Sequence, residues 1–235
     1  MSGSRIIQSP LLILSIFYHL CCIMRKRSTI VCLCFVFLAI LAFLSFWASK
    51  YYGYELPDNQ TTRTLQERAQ AAKDIAHRRG LSEEYCILVD YSIPSGSPRL
   101  FVWSFSNNRI MFSCHVMHGP GKGSTAEHPV FSNAPGSKCS SLGKFIITKD
   151  HGHKLKRSYR ISGLEFANRT AYARGLMIHR SVWVDINCWR KYIPLHEPSC
   201  QGCLTVSSRG MNYLESLIKN QKKQILLWSF CNISQ

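Results

Sequence analysis

The chain has 235 residues, 46% of them hydrophobic and 11% aromatic. That excludes a disordered polar chain and fits one ordinary domain plus a short extra segment. The net charge is +16; the first 48 residues hold four basic residues and no acid, so the remainder keeps +12. Such a charge favours anionic polymers in general. No helix-turn-helix, zinc-finger or RNP-like pattern accompanies it, so nucleic acid is not an expected partner.

Ile30 to Ala48 is an uncharged apolar run about as long as a bilayer core requires. Arg25, Lys26 and Arg27 stand directly before it. Basic residues on that side predict a cytoplasmic N-terminus and export of everything after the run. A cleaved signal peptide competes with this reading. The small residues that a cleavage site needs are absent, because Phe46 and Trp47 are bulky, so an uncleaved signal anchor is favoured. Residues 6–24 are also apolar, and only five residues separate the two runs. They form either a second span or, with Met24 as the natural start, an over-extended reading frame of residues 1–23. The expected organisation is residues 1–29 as a cytoplasmic or mis-started segment and 30–48 as a transmembrane anchor. A linker with a helix then covers 49–84, and one domain covers 85–235.

Asn59 to Arg79 is polar and helix-prone, with Leu65, Ala69, Ala72 and Ile75 at spacings of three and four. This predicts an amphipathic helix that Gly80 ends. From Tyr85 the pattern becomes β-rich. Cys86–Tyr91, Leu100–Phe105 and Ile110–Val116 read as strands separated by turns, an antiparallel meander. His118–Leu142 is rich in Gly, Ser, Pro and Asn. A loop this long inside a domain is often functional. Lys144–Thr148, Tyr159–Ser162 and Gly175–His179 are further strands, Ser208–Lys222 a helix and Gln224–Phe230 a closing strand. The fold class is mainly β, with few helices and no internal repeat.

The chemistry concentrates near Ser199-Cys-Gln-Gly-Cys-Leu-Thr-Val206. A glycine before a cysteine permits a sharp turn and can aim amide N–H groups at an oxyanion beside the thiol. His179 ends a strand-like run, where it can project into a site and raise the thiolate fraction of a nearby cysteine. Cys200 and Cys203 also make a CxxC. It reads alternatively as half a zinc site completed by His151 and His153, as a redox pair, or as a disulfide. Seven cysteines follow the anchor: Cys86, Cys114, Cys139, Cys188, Cys200, Cys203 and Cys231. Seven is odd, so oxidation leaves at least one without a partner in the chain, which fits a nucleophile without identifying it. Among the histidines, His115 sits in a strand pattern and suits packing, while His118 opens the long loop and suits a site. His128, His151, His153 and His196 read as exposed.

These blocks, taken in order, resemble the L,D-transpeptidase catalytic domains, the YkuD-like family and its murein branch. The resemblance runs from Leu88-Val-Asp-Tyr-Ser-Ile-Pro94 through Arg99-Leu-Phe-Val102, Val116-Met-His-Gly119 and Phe131-Ser-Asn133. Gly136-Ser137, Ser140-Ser-Leu-Gly143, His151-Gly152, Tyr159–Glu165 and Ala173-Arg174 follow, and Ile178-His179 and Gly202-Cys203 close the series. About half of the chain is covered.

The resemblance implies a β-sandwich-like catalytic domain that needs neither metal nor cofactor. Cys203 would attack the carbonyl joining meso-diaminopimelate to D-Ala in a peptidoglycan stem peptide, with His179 as base. The backbone carbonyl of Arg180 would orient the imidazole, and N–H groups around Gly202 and Cys203 would form the oxyanion hole. His118, Gly119, Ser140, Ser141 and Gly143, with Cys200 and Gln201, would line the substrate cleft. The thioester would pass to an amine, or to water in an L,D-carboxypeptidase. The catalytic domain would work in the periplasm or cell-wall space of a bacterium, tethered to the inner membrane. The chain departs from the family at Cys200, where Ser or Thr is usual, and at Gln201, Arg180 and Leu204. Those departures motivate an inactive wall-binding module as a rival reading, and Cys200 motivates a silencing Cys200–Cys203 disulfide. No sequence feature specifies an oligomeric state.

Overall fold

The computed structural model describes residues 29–49, 57–150, 157–195 and 201–232. Residues 1–23, His151, His153, His196, Ser199 and Cys200 lie outside the described residues. The chain divides into two compact units, residues 1–50 and 51–235.

In the first unit, α1 (Thr29–Ser49) has a mean hydropathy of 2.8 and is long and apolar enough to cross a membrane. Membrane spans and signal sequences share these properties. Its hydroxyls turn back on the helix: Ser45 Oγ donates to the Ala42 carbonyl at 2.9 Å and Ser49 Oγ to that of Phe46 at 2.8 Å. A helix that satisfies its polar groups internally presents only apolar surface.

The second unit opens with α2 (Asn59–Arg79), which the sequence pattern bounds correctly. Asp58 caps its N-terminus by accepting from the Thr61 amide at 2.6 Å. Gly80 ends it at φ +65°, the left-handed conformation that glycine adopts without steric cost. Leu65, Ala69, Ala72 and Ala76 form the buried stripe, with Ile75 packed at its border.

Nine strands follow: β1 (Tyr85–Asp90), β2 (Leu100–Ser104), β3 (Arg109–Cys114), β4 (Val116–Met117), β5 (Gly143–Ile147), β6 (Ser158–Gly163), β7 (Met177–Arg180), β8 (Leu204–Val206) and β9 (Leu226–Phe230). They form one sheet in the order β3-β2-β1-β9-β5-β6-β7-β8-β4. The expected meander is β1-β2-β3, antiparallel throughout. The expected third strand, however, breaks at His115, and its two pieces lie at opposite ends of the sheet. Only one residue separates them, so the ends of the sheet meet at that corner and the sheet folds back on itself. Its sandwich-like character comes from this single continuous sheet.

Alternation along the strands decides the two faces. Ile87, Val89, Val102, Phe145, Ile161, Ile178 and Leu227 point into the principal core. Cys86, Leu88, Phe101 and Trp103 point the other way, under α2. The helix α4 (Ser208–Asn220) closes the principal core with Met211, Leu214 and Ile218. Neither the short helix α3 (Val182–Asn187) nor strand β8 has a counterpart in the sequence reading. Both are too short to carry a recognisable period. Two pairings are parallel, β1 with β9 and β7 with β8. The second builds the site.

Candidate active site

In the β7–β8 pair, Ile178 stands opposite Leu204 and His179 opposite Thr205. Cys203 immediately precedes β8, two residues from Thr205, and strand alternation gives both residues the same face. A diagonal neighbour of this kind lies within side-chain reach of its partner strand. The Cys203 thiol is 3.9 Å from the Gly175 carbonyl, at the approach to β7. Cys203 is 5% exposed and His179 6%, so both are largely shielded from water.

His179 Nδ1 lies 3.1 Å from the Arg180 carbonyl oxygen. A carbonyl oxygen only accepts, so Nδ1 carries the hydrogen. In the neutral ring Nε2 then offers a lone pair, and the Thr205 hydroxyl meets it at 3.2 Å. The ring is thereby fixed in one tautomer, with its basic nitrogen on the β8 side. Thr205 is fully buried, and the sequence reading passed over it. Its position two residues after Cys203 in a strand was the available signal. The Arg180 side chain is exposed, so its part in the site is played by the backbone.

The turn before Cys203 depends on backbone-to-backbone packing. Gly202 has φ +104°, and a Cβ there would stand 2.0 Å from the Cys139 carbonyl oxygen. A Cβ on Gly119 would stand 2.3 Å from the Lys138 carbonyl oxygen and 2.6 Å from the Gly202 Cα. No other residue fits at either place. Ser140 joins the two glycines: its hydroxyl accepts from the Gly119 amide at 2.9 Å and donates to the Gly202 carbonyl at 3.3 Å. The long loop therefore returns at residues 138–140 to lie against the cysteine turn. A bridge between Phe131 and Ser140, and the Ser132 amide donating to the Ser140 carbonyl at 3.0 Å, hold its shape.

Arg174 binds this assembly from below. Its Nη1 donates to the Ser132 carbonyl at 3.0 Å and to Ser141 Oγ at 2.7 Å. Its Nη2 donates to Ser137 Oγ at 3.2 Å, the Cys139 carbonyl at 2.9 Å and the Gln201 carbonyl at 3.1 Å. Ser141 in turn donates to the Ser132 carbonyl at 3.2 Å. Burial pushes the guanidinium below its ordinary pKa, and negative charge on Cys139 or Cys203 pulls the other way. Arg174 stood in one of the matching sequence blocks, but nothing in a lone arginine between an alanine and a glycine announces this part.

His118 is 1% exposed, and its ring is turned away from a base's task. Its Nδ1 accepts from Arg99 Nη2 at 3.0 Å, and its Nε2 donates to the Thr125 carbonyl at 2.8 Å. Burial, helped by the Arg99 charge, pushes its pKa down to about 3. It stays neutral and ties the loop to the buried Arg99, which also donates to the Val116 and Ile93 carbonyls. Gly143 is placed elsewhere. It opens β5 at φ +116°, where a Cβ would be 2.3 Å from Glu165 Oε2 and 2.6 Å from Asn168 Nδ2. The structure thus gathers Cys203, Gly202, Gln201, Gly119, Ser140 and Ser141 around one turn, sets His179 beside it and leaves Gly143 against Glu165. Among the described residues no three His, Cys, Asp or Glu side chains stand close enough to hold a metal ion.

No curated protein matches the chain. Among solved structures, it is similar to a mutant of the helical cell shape determining protein Pgp2 from Campylobacter jejuni, at 11% identity and a TM-score of 0.42. That likeness covers 65% of this chain and about half of the other (49%), too distant to add to the assignment. The family model described as L,D-transpeptidase catalytic domain matches residues 58–228, well over half of the chain. The cysteine turn, the long loop and the β7–β8 pair all lie inside that match, and the chain belongs to the L,D-transpeptidase catalytic domain family.

Proposed function

We propose that this chain is a peptidoglycan L,D-transpeptidase with Cys203 as nucleophile and His179 as base. The observation that carries the reading is the fixed tautomer of His179: the Arg180 carbonyl holds Nδ1–H, so the basic Nε2 faces the strand that follows Cys203.

In this reading the Cys203 thiol gives its proton to His179, and the thiolate attacks the carbonyl joining diaminopimelate to D-Ala. Amide N–H groups around Gly202 and Cys203 receive the developing oxyanion. The C–N bond then breaks, the imidazolium returns its proton to the leaving D-Ala amine, and a thioester remains on Cys203. An incoming amine attacks the thioester, loses a proton to His179 and forms the new amide, and the thiolate is released. If water is the acceptor instead, the same intermediate yields a carboxylate and the enzyme is an L,D-carboxypeptidase. The Thr205 hydroxyl, 3.2 Å from Nε2, holds the ring in the orientation this proton transfer uses.

The basic triplet before α1 supports a cytoplasmic start with the catalytic unit outside the membrane. There the net positive charge of the chain suits anionic wall polymers.

Intact-mass spectrometry of the reduced protein, after incubation with a disaccharide-tetrapeptide, tests the reading. The expected result is an adduct on wild type with release of D-Ala, and neither with Cys203→Ala. A folded, reduced wild type giving neither adduct nor D-Ala would refute it. The product formed with and without an added amine identifies the acceptor.

A further inference from the structure

We propose that Arg174 is a positioning residue for the Cys203 turn and the cation that stabilises the Cys203 thiolate. The proposal rests on Cys203 being the nucleophile.

The geometry separates this role from substrate binding. A guanidinium has four terminal N–H groups. The two on Nη1 meet Ser132 and Ser141, and the two on Nη2 are shared among Ser137, Cys139 and Gln201. None is left over for a ligand. Nε is buried and finds no acceptor among the described residues. The planar fork therefore grips both sides of the cysteine turn, the 132–141 loop on one side and the Gln201 carbonyl on the other. A residue that fixes the carbonyl of Gln201 fixes the peptide entering Gly202, whose amide is a candidate oxyanion donor. Gly202 has no side chain to hold its own place and lies hard against Cys139. The clamp must come from elsewhere, and Arg174 supplies it.

The charge points the same way. All five acceptors are neutral, and no carboxylate forms an ion pair with Arg174 among the described residues. The ionisable groups that favour its charged form are the thiols of Cys139 and Cys203. Arg174 reaches the Gln201 carbonyl, two residues before Cys203, and the carbonyl of Gly175, the residue after Arg174, lies 3.9 Å from the Cys203 thiol. The half-buried cation therefore stands near that thiol. An opposite charge at short range favours the thiolate and moves a titration by about one to three pH units. His179 then receives its proton from a thiol that gives it up readily.

The test uses the full chain in detergent and reads the pH dependence of iodoacetamide alkylation at the Cys203 peptide by mass spectrometry. Arg174→Gln is expected to move the alkylation midpoint up by about one pH unit. An unchanged midpoint in folded R174Q overturns the charge role. Arg174→Lys keeps the charge and loses the fork. It is expected to hold the midpoint and slow D-Ala release from a disaccharide-tetrapeptide by about tenfold or more. Release at the wild-type rate overturns the positioning role, whether or not R174Q folds. Cys203→Ala separates the two readings: full D-Ala release without the thiol would refute the nucleophile, while the alkylation shift still reports on Arg174.

Discussion

The α2-covered face of the sheet and the β7–β8 corner are held together by different kinds of contact. Under α2, side chain meets side chain: Leu65, Ala69, Ala72 and Ala76 lie on Cys86, Leu88, Phe101 and Trp103. At the corner, backbone meets backbone: Gly202 against the Cys139 carbonyl, and Gly119 against Gly202. Apolar burial is non-directional, and its loss scales with the area exposed. A close approach between main chains accepts no added atom. Damage to the first region should weaken the whole fold by degrees, and damage to the second should stop the chemistry.

The largest effect is expected from Gly202→Ala. The new Cβ meets the Cys139 carbonyl at 2.0 Å on a backbone at φ +104°. Acylation of Cys203 by a disaccharide-tetrapeptide, followed by intact mass, should slow by more than about 100-fold. Wild-type rates would show that the turn does not depend on this approach. Leu65→Ala should have the reverse profile. Emptying a fully buried leucine costs about 2–5 kcal/mol, read as a lower urea midpoint. Acylation under native conditions should stay within about twofold of wild type. A collapse of acylation in folded L65A would remove the contrast between the two regions.

The smallest effect sharpens the comparison from within the long loop. His118 has a folded pKa of about 3 against an ordinary 6.5. Between those values the unfolded chain binds a proton that the native chain refuses, so stability falls as pH drops from about 6.5 towards 3. At pH 4.5, two pH units below the ordinary value, the loss is about 3 kcal/mol. Comparing urea midpoints at pH 7 and 4.5, His118→Gln should flatten that dependence relative to wild type. An equal pH dependence in both proteins would place the sensitivity elsewhere.

Much of the first region was legible because its signals are local. The spacing of Leu65, Ala69 and Ala72, the stop at Gly80 and the β-rich runs at Cys86 and Leu100 each act within a few residues. At the corner the sequence supplied names without an arrangement. Gly202-Cys203 and His179 could be singled out by chemistry and by family resemblance, as could Gly119, Ser140 and Ser141. The ring of His118 was expected in the cleft, but Arg99 and the Thr125 carbonyl claim it. Gly143 was grouped with the cleft, but it lies beside Glu165.

The sequence by itself determined α1 and α2, the positions of most strands and the mainly β class, and it singled out Cys203 and His179 as the nucleophile and base we propose. Period, capping and side-chain chemistry are properties of short stretches. Only the tertiary structure decided that the strand breaks at His115 so that the sheet's ends meet, and that β7 and β8 run parallel. It alone decided that Thr205 stands at His179 Nε2, and that Arg174 ties residues 132–141 to Gln201. These are contacts between groups far apart in the chain, most of them with a main-chain atom on at least one side, as where Arg174 meets the Ser132, Cys139 and Gln201 carbonyls. Every residue carries the same main-chain donors and acceptors, so such contacts leave almost no trace in residue type.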